Sequence, residues 1–392
     1  MSRLLIYNPT CEMAVQNNSV SYQPPLRLQE FEKAMSSLMM YLALEGDMLV
    51  GEAPDDELCA FWQSFGVVIP RFVDKQRAME ALEVGAVLQP WGGSRQLYYC
   101  FGRRAEADTF TSDKRRFFSR ATSVEMESAV ADIVKNASAY PHKYHISELS
   151  TILESADEME ARVRRGMCAV KSMWSSSGRG VQLVRKAQHI EPAITWARGK
   201  IRHDGGVVCE PFYRRLGEFT TLLYIRPDGE VEYIGTNYFE ADEAGRFGKE
   251  LLGRKSLSAT EETEIATILS EAIKQLRWHD KYVGPVGIDG MAYEETSGER
   301  RLRCCTEVNM RHTMGNVNLA VAETISPTSE GEWQIEQFEN VDAWMRHCDN
   351  MSGRYPLTTD ERGKIKSGFI RLTPLGYNYG AWGIIKEKED KP

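Results

Sequence analysis

Val283-Gly-Pro-Val-Gly-Ile-Asp-Gly-Met-Ala-Tyr293 and Arg301-Leu-Arg-Cys-Cys-Thr-Glu-Val-Asn309 are two β-prone runs flanking Glu294-Glu-Thr-Ser-Gly-Glu299, a polar stretch with turn chemistry. A turn centred on Gly298 sets Asp289 directly opposite Glu307 in an antiparallel ladder. Side chains alternate along a strand, so Asn309 shares the face of Glu307 two residues on. Two opposed carboxylates repel unless a cation lies between them. Mg²⁺ suits such a place, because it takes oxygen ligands and usually combines one or two carboxylates with phosphate oxygens and waters. The plain alternative is an exposed acidic hairpin that binds nothing.

Upstream, Met167-Cys-Ala-Val-Lys171 reads as a strand ending on a lysine. The loop Ser172-Met-Trp-Ser-Ser-Ser-Gly-Arg-Gly180 follows, and then the strand Val181-Gln-Leu-Val184. Small side chains at Ser175, Ser176, Ser177, Gly178 and Gly180 let backbone N–H groups approach phosphate oxygens, while Lys171 neutralises charge from the strand below. A Walker A loop is excluded, because its lysine follows the second glycine whereas Lys171 precedes the loop. A flexible hairpin is the competing reading of the loop alone.

The chain has 392 residues, 42% of them hydrophobic, enough for several packed subdomains. A net charge of −8 argues against a dedicated nucleic-acid binder. Eight cysteines are scattered without a Cys-x-x-Cys pair or zinc-finger spacing. Cys304 and Cys305 would point to opposite faces of one strand and cannot chelate one ion. The N-terminal Leu4-Leu5-Ile6-Tyr7 is too short for a signal-peptide core, and no apolar run reaches membrane-spanning length. The expectation is a cytoplasmic protein with reduced thiols and neither nucleic-acid nor membrane partners.

Strand-like runs at Leu4 to Tyr7, Met48 to Gly51, Val67 to Val73 and Ala86 to Pro90 alternate with helical patterns at Phe31 to Leu42, Asp55 to Gln63 and Lys75 to Leu82. Such alternation favours a parallel sheet covered by helices. Asn8, Pro9 and Glu12, just past the first strand, either contact a ligand or make a turn; Gln89 to Ser94 either floors a pocket or closes one. Further on, Ser112 or Asp113 caps a helix that places Lys114 in its first turn, where the helix dipole slightly disfavours a cation; a phosphate partner is one reading and a solvated surface lysine the commoner one. Ile146 to Arg165 reads as a charged helix. Val207 to Phe212 reads as an edge strand suited to adenine, with Glu218 opening the strand after it, and Pro227-Asp-Gly229 turns the next hairpin. Thr260 to Trp278 is an amphipathic helix, a short helix lies near Val341 to Cys348, and the aromatic segment Gly368 to Trp382 either lines a substrate site or seals the core.

The order and type of these residues resemble the ATP-grasp superfamily. Glu218-Phe219-Thr220, Gly287-Ile288-Asp289-Gly290-Met291 and Glu307-Val308-Asn309 are similar to the D-alanine:D-alanine ligase and biotin carboxylase branches, over roughly Ser112 to Gly315. The resemblance implies an α/β and α+β fold class: an N-terminal α/β domain (1–105), an ATP-grasp first lobe with a phosphate flap (106–205), a second lobe with a metal hairpin (206–330) and a C-terminal segment (331–392). It implies ATP and Mg²⁺ as cofactors. Lys114 and Lys171 would contact phosphates, Ser175, Ser176, Ser177, Gly178 and Gly180 would form the flap, Glu210 and Phe212 would bracket adenine and Glu218 would bind the ribose. Asp289, Glu307 and Asn309 would hold the metal, and Lys171 and Arg311 would act in catalysis.

Two departures from the pattern stand out. The D-alanine ligases carry an arginine two residues before the metal Asp, where this chain has Gly287; Arg311, Arg246, Lys249 and Arg254 are candidate replacements. Met310-Arg-His-Thr-Met-Gly315 also differs from the usual turn after the metal Asn, so no D-alanine substrate follows. His312 is expected to be structural. The leading expectation is a ligase that joins a small-molecule or peptide carboxylate to an amine through an acyl phosphate, with a homodimer as a compatible assembly. A kinase on the same scaffold and a non-catalytic nucleotide-binding module are the rivals.

Overall fold

The computed structural model describes residues 2–136, 140, 142–144, 146–174, 180–242, 247–295 and 297–389. Packing divides the chain into two units. Unit 1 comprises Met1–Ala107, Lys249–Arg254 and Thr313–Pro392; unit 2 comprises Asp108–Gly248 and Lys255–His312.

Unit 1 begins with β1 (Arg3–Ile6), β2 (Met48–Val50), β3 (Arg71–Val73) and β4 (Val87–Pro90), a parallel sheet in the order β3-β2-β1-β4. Leu4, Leu5 and Ile6 are all buried, as a parallel strand covered on both faces requires. The Val67 to Val73 expectation is shorter in fact, since only Arg71–Val73 is a strand. The Phe31 to Leu42 pattern splits into an α-helix over Leu26–Met35 and a 3₁₀ segment over Ser36–Leu42. Asp55 caps the helix Asp56–Ser64 by accepting from the Leu58 N–H.

Unit 2 holds two sheets. The first comprises β5 (Thr151–Leu153), β6 (Cys168–Ser172), β7 (Val181–Val184) and β8 (Val207–Pro211) in the order β5-β8-β6-β7. The helix expected over Ile146 to Arg165 is therefore two elements: β5 pairs with β8, and Ser155 caps a helix over Ala156–Arg164. Nor is β8 an edge, because β5 and β6 flank it. The second sheet contains β9 (Arg214–Ile225) and β10 (Val231–Ala241). After β11 (Phe247–Leu252), whose last four residues belong to unit 1, come β12 (Gly284–Glu294) and β13 (Arg300–Asn309). These give the antiparallel order β13-β12-β9-β10. The Pro227-Asp-Gly229 turn closes with Gly229 at φ +85, and the expected amphipathic helix spans Ala259–Gln275 behind a Ser258–Glu261 capping box.

The remaining strands return to unit 1: β14 (Ser329–Gln337), β15 (Thr358–Thr359), β16 (Ile365–Arg371) and β17 (Tyr379–Glu387). They pair antiparallel as β11-β14-β17-β16-β15. The short C-terminal helix is longer than expected, Val341–Arg354. Tyr379, Ala381 and Ile385 of β17 share one core with Leu5, Met39, Leu49 and Trp62, so the C-terminal residues pack with the N-terminal ones. Among the described residues no helix is long and apolar enough to cross a membrane.

Candidate functional site

All the residues described in this site belong to unit 2. Asp289 of β12 lies directly across from Glu307 of β13, and Asn309 follows two residues later. Thr220 of β9, itself opposite Asp289, donates its hydroxyl to Asp289 Oδ1 at 2.7 Å. Asn309 Nδ2 donates to Asp289 Oδ2 at 3.2 Å, and Arg311 Nη2 donates to Asn309 Oδ1 at 2.9 Å. Burial first, and then the charge of Glu307, push the Asp289 carboxyl up to about 7 against the pull of Thr220, Arg311 and Asn309.

A crowded carboxylate pair of this kind is what a divalent cation relieves. Among the described residues no group of three or more His, Cys, Asp and Glu side chains is gathered for a metal ion. The donor set is instead two carboxylates and an amide. It fits Mg²⁺, which keeps few protein ligands and takes the rest from phosphate and water. The Asn309 amide needs half a turn about its last bond to offer oxygen in place of nitrogen.

Arg120, which the sequence reading passed over, donates Nη2 to Glu307 Oε1 at 2.9 Å and Nη1 to the Ser172 carbonyl at 2.7 Å. It precedes the helix Ala121–Asn136, whose Ser123 Oγ accepts from the Val308 N–H at 2.9 Å and whose Glu127 accepts from Arg303 Nε at 2.6 Å. Arg303, 1% exposed, also lies 3.5 Å from Glu210.

The strand expected to end on Lys171 runs one residue further, Cys168–Ser172, and Lys171, its penultimate residue, pairs with Glu210 at 2.5 Å. Burial raises the Glu210 carboxyl, but the Lys171 and Arg303 charges outweigh it and leave the group below its ordinary range. The base of the loop is closed by the Ser172 N–H donating to the Gly180 carbonyl at 2.9 Å, with Gly180 at φ +70. Ser175, Ser176, Ser177 and Gly178 lie outside the described residues, as does Arg246.

Lys114 sits third in the helix Ser112–Phe117, and the cap is Thr111 rather than Ser112 or Asp113: its hydroxyl accepts from the Lys114 N–H. The ammonium donates to Thr109 Oγ1 at 2.9 Å and lies over the Phe110 ring, and burial lowers its pKa. Glu218 accepts from Arg215 at 2.7 Å and from the Ala241 N–H at 3.0 Å. Phe212 carries the Arg185 guanidinium 5.0 Å from its ring centre.

No protein-family model matches the sequence, and no curated protein matches it. Solved structures do match in three dimensions. N5-carboxyaminoimidazole synthetase from Staphylococcus aureus, complexed with ADP, superposes with a TM-score of 0.51 at 11% identity, over 91% of this chain and 92% of that one. The biotin carboxylase domain of the 2-oxoglutarate carboxylase of Hydrogenobacter thermophilus, solved as a dimer with MgADP, ADP and bicarbonate, reaches 0.52 at 12% identity over 99% and 86%. Biotin carboxylase from Campylobacter jejuni reaches 0.51 at 12% over 99% and 88%. The chain has the ATP-grasp fold.

Within that ATP-grasp framework, the position two before Asp289 remains Gly287, directly opposite Asn309. Of the candidate replacements, Arg311 lies beside Asn309, as described. Lys249 and Arg254 are in unit 1, where they pair with Glu332 and Glu330.

Proposed function

We propose that the chain is an ATP-dependent carboxylate-amine ligase that activates a carboxylate as an acyl phosphate and joins it to an amine. The observation that carries this reading is the meeting of Asp289, Glu307 and Asn309 on one hairpin, in the same unit as Lys171 at the mouth of the serine–glycine loop. Asp289, Glu307 and Asn309 are the proposed metal ligands. Mg²⁺ held there would supply neutralisation of the β- and γ-phosphate charge during transfer.

The chain's own groups do the rest in this reading. Lys171 and Lys114 bind phosphate oxygens, with Glu210 holding Lys171 in place by their ion pair. Arg311, anchored on Asn309, faces the charge that builds on the acyl phosphate. Glu210 and Phe212 lie near adenine and Glu218 near the ribose. Nucleotide, magnesium and bicarbonate bound to a biotin carboxylase domain of this fold lend support. The dimer of that same domain supports a homodimer here. The eight cysteines are thiols rather than disulfides, which supports a reducing, cytoplasmic setting.

The test is mass spectrometry of reactions holding MgATP, pooled small carboxylates, short peptides and amines, with Glu307→Gln as the control. A product equal to acid plus amine less one water, formed with ADP and phosphate, is expected. A stable phosphorylated product with no amine consumed would replace the ligase by a kinase.

A further inference from the structure

We infer that Arg120 is a positioning residue that holds Glu307 for the metal and ties that carboxylate to the strand entering the serine–glycine loop. The inference rests on the metal-site reading above. Arg120 is fixed from three directions. Its main-chain N–H donates to the Met173 carbonyl at 3.0 Å, Nη1 to the Ser172 carbonyl at 2.7 Å and Nη2 to Glu307 Oε1 at 2.9 Å. Its side chain is 4% exposed. Two of these bonds go to the segment that leads into the loop and the third goes to the metal carboxylate, so the two cannot shift independently.

The helix behind Arg120 repeats the arrangement. Arg120, Ser123 and Glu127 follow i, i+3, i+7 spacing and so lie on one helical face. Down that face they engage Glu307, the Val308 N–H and Arg303 in turn, which seats β13 against the helix by polar bonds. Glu307 would otherwise swing away from Asp289, since like charges repel and a glutamate has free rotamers to use. A planar guanidinium fixes one carboxylate oxygen where a point charge would not. The other oxygen, Oε2, accepts no hydrogen bond among the described residues and is left for an ion. Buried Arg120 Nε likewise has no acceptor there, so structural bonds do not exhaust this guanidinium.

The sign of the effect separates positioning from charge. If Arg120 only added positive charge beside a cation site, removing it would tighten metal binding. If it positions Glu307, removing it loosens binding, by about tenfold or more as for other residues that orient metal ligands.

Mn²⁺ titrated into the full chain, with free ion read by electron paramagnetic resonance and ADP present or absent, decides the matter. Arg120→Met is expected to bind Mn²⁺ about tenfold more weakly and Arg120→Lys about threefold more weakly, because lysine keeps a cation near Glu307 but cannot span both acceptors. Unchanged or tighter binding in either variant overturns the inference. Should Arg120→Met fail to fold, as thermal unfolding would reveal, the Arg120→Lys result alone decides by the same criterion. Wild type and Glu307→Gln binding Mn²⁺ alike would overturn the metal site itself, an outcome distinct from any Arg120 result.

Discussion

Asp289 stands directly across the ladder from Glu307, and a two-residue bulge in β13 puts it there. Near the turn Tyr293 pairs with Arg301 and Met291 with Arg303, a register that would carry Asp289 to Cys305. Between these pairs β13 has Cys304, Cys305 and Thr306 where β12 has only Gly290. Thr306 Oγ1 donates to the Asp289 carbonyl at 3.1 Å, fastening the bulge. A Cβ on Gly290 would lie 2.5 Å from Phe219 Cζ and 2.8 Å from the Arg303 carbonyl. Gly290→Ala is therefore expected to destabilise unit 2 by about 1–3 kcal/mol and to weaken Mn²⁺ binding along with it. Denaturant unfolding and metal titration of one preparation check both. Loss of neither would show that the bulge does not depend on this glycine.

The pairing of Asp289 with Glu307 was legible in the sequence, although by a shorter route than the molecule takes. The partners were named from a turn centred on Gly298, whereas the pairs beside the turn, Glu294 with Arg300 and Tyr293 with Arg301, centre it one residue earlier, and only the bulge brings Asp289 back to Glu307. The two strands on either side of the serine–glycine stretch, with Lys171 near the end of the first, were legible because strand, lysine and strand follow closely in the chain. Arg120 was not, because its partner is 187 residues away and an arginine before a helix of Ala, Val and Met carries no local mark. The available signal was polar residues at 120, 123 and 127 beside the buried Met126 and Val130, which reads as a buried polar face only once its partner strand is known.

Glu127 and Arg303 are almost wholly buried and paired, and Arg303 also lies 3.5 Å from Glu210. Removing Glu127 leaves Arg303 only the longer contact with Glu210, at a cost of up to about 3–5 kcal/mol. Glu127→Ala is expected to show that loss in chemical unfolding. Glu127→Leu combined with Arg303→Met, which leaves neither charge behind, should recover a large part of it. A double variant as unstable as the single one would mean that packing, not the stranded charge, sets the cost.

Glu261 gives unit 2 a defined acid sensitivity. Burial raises its carboxyl, but Arg300 at 2.8 Å, the Ser258 N–H and Lys143 at 3.0 Å outweigh it and hold the group down to about 2. A carboxyl lowered by folding stabilises the fold above its unfolded pKa of about 4.3 and loses that contribution as pH falls toward the folded value. Glu261→Gln should therefore cost about 2–3 kcal/mol at pH 7, the free energy linked to lowering the carboxyl that far on folding. The loss relative to wild type should shrink below about pH 4 and vanish near about pH 2. A difference that stays constant across that range would assign the loss to capping geometry rather than to charge.

Glu210 separates two roles that its place in the chain leaves together. A residue that reads adenine directly discriminates between purine bases, whereas one that acts by holding Lys171 affects every nucleoside triphosphate alike. The buried pair with Lys171 and the nearby Arg303 favour the second role. Glu210→Gln is expected to weaken ATP and GTP binding by the same factor, about tenfold for an ion-paired lysine released from its partner. Adding Lys171→Met to Glu210→Gln should then cost little more than Lys171→Met alone, since residues acting through one contact are not additive. Isothermal titration of the two nucleotides against the single and double variants measures this directly, and a loss confined to ATP would return Glu210 to the base.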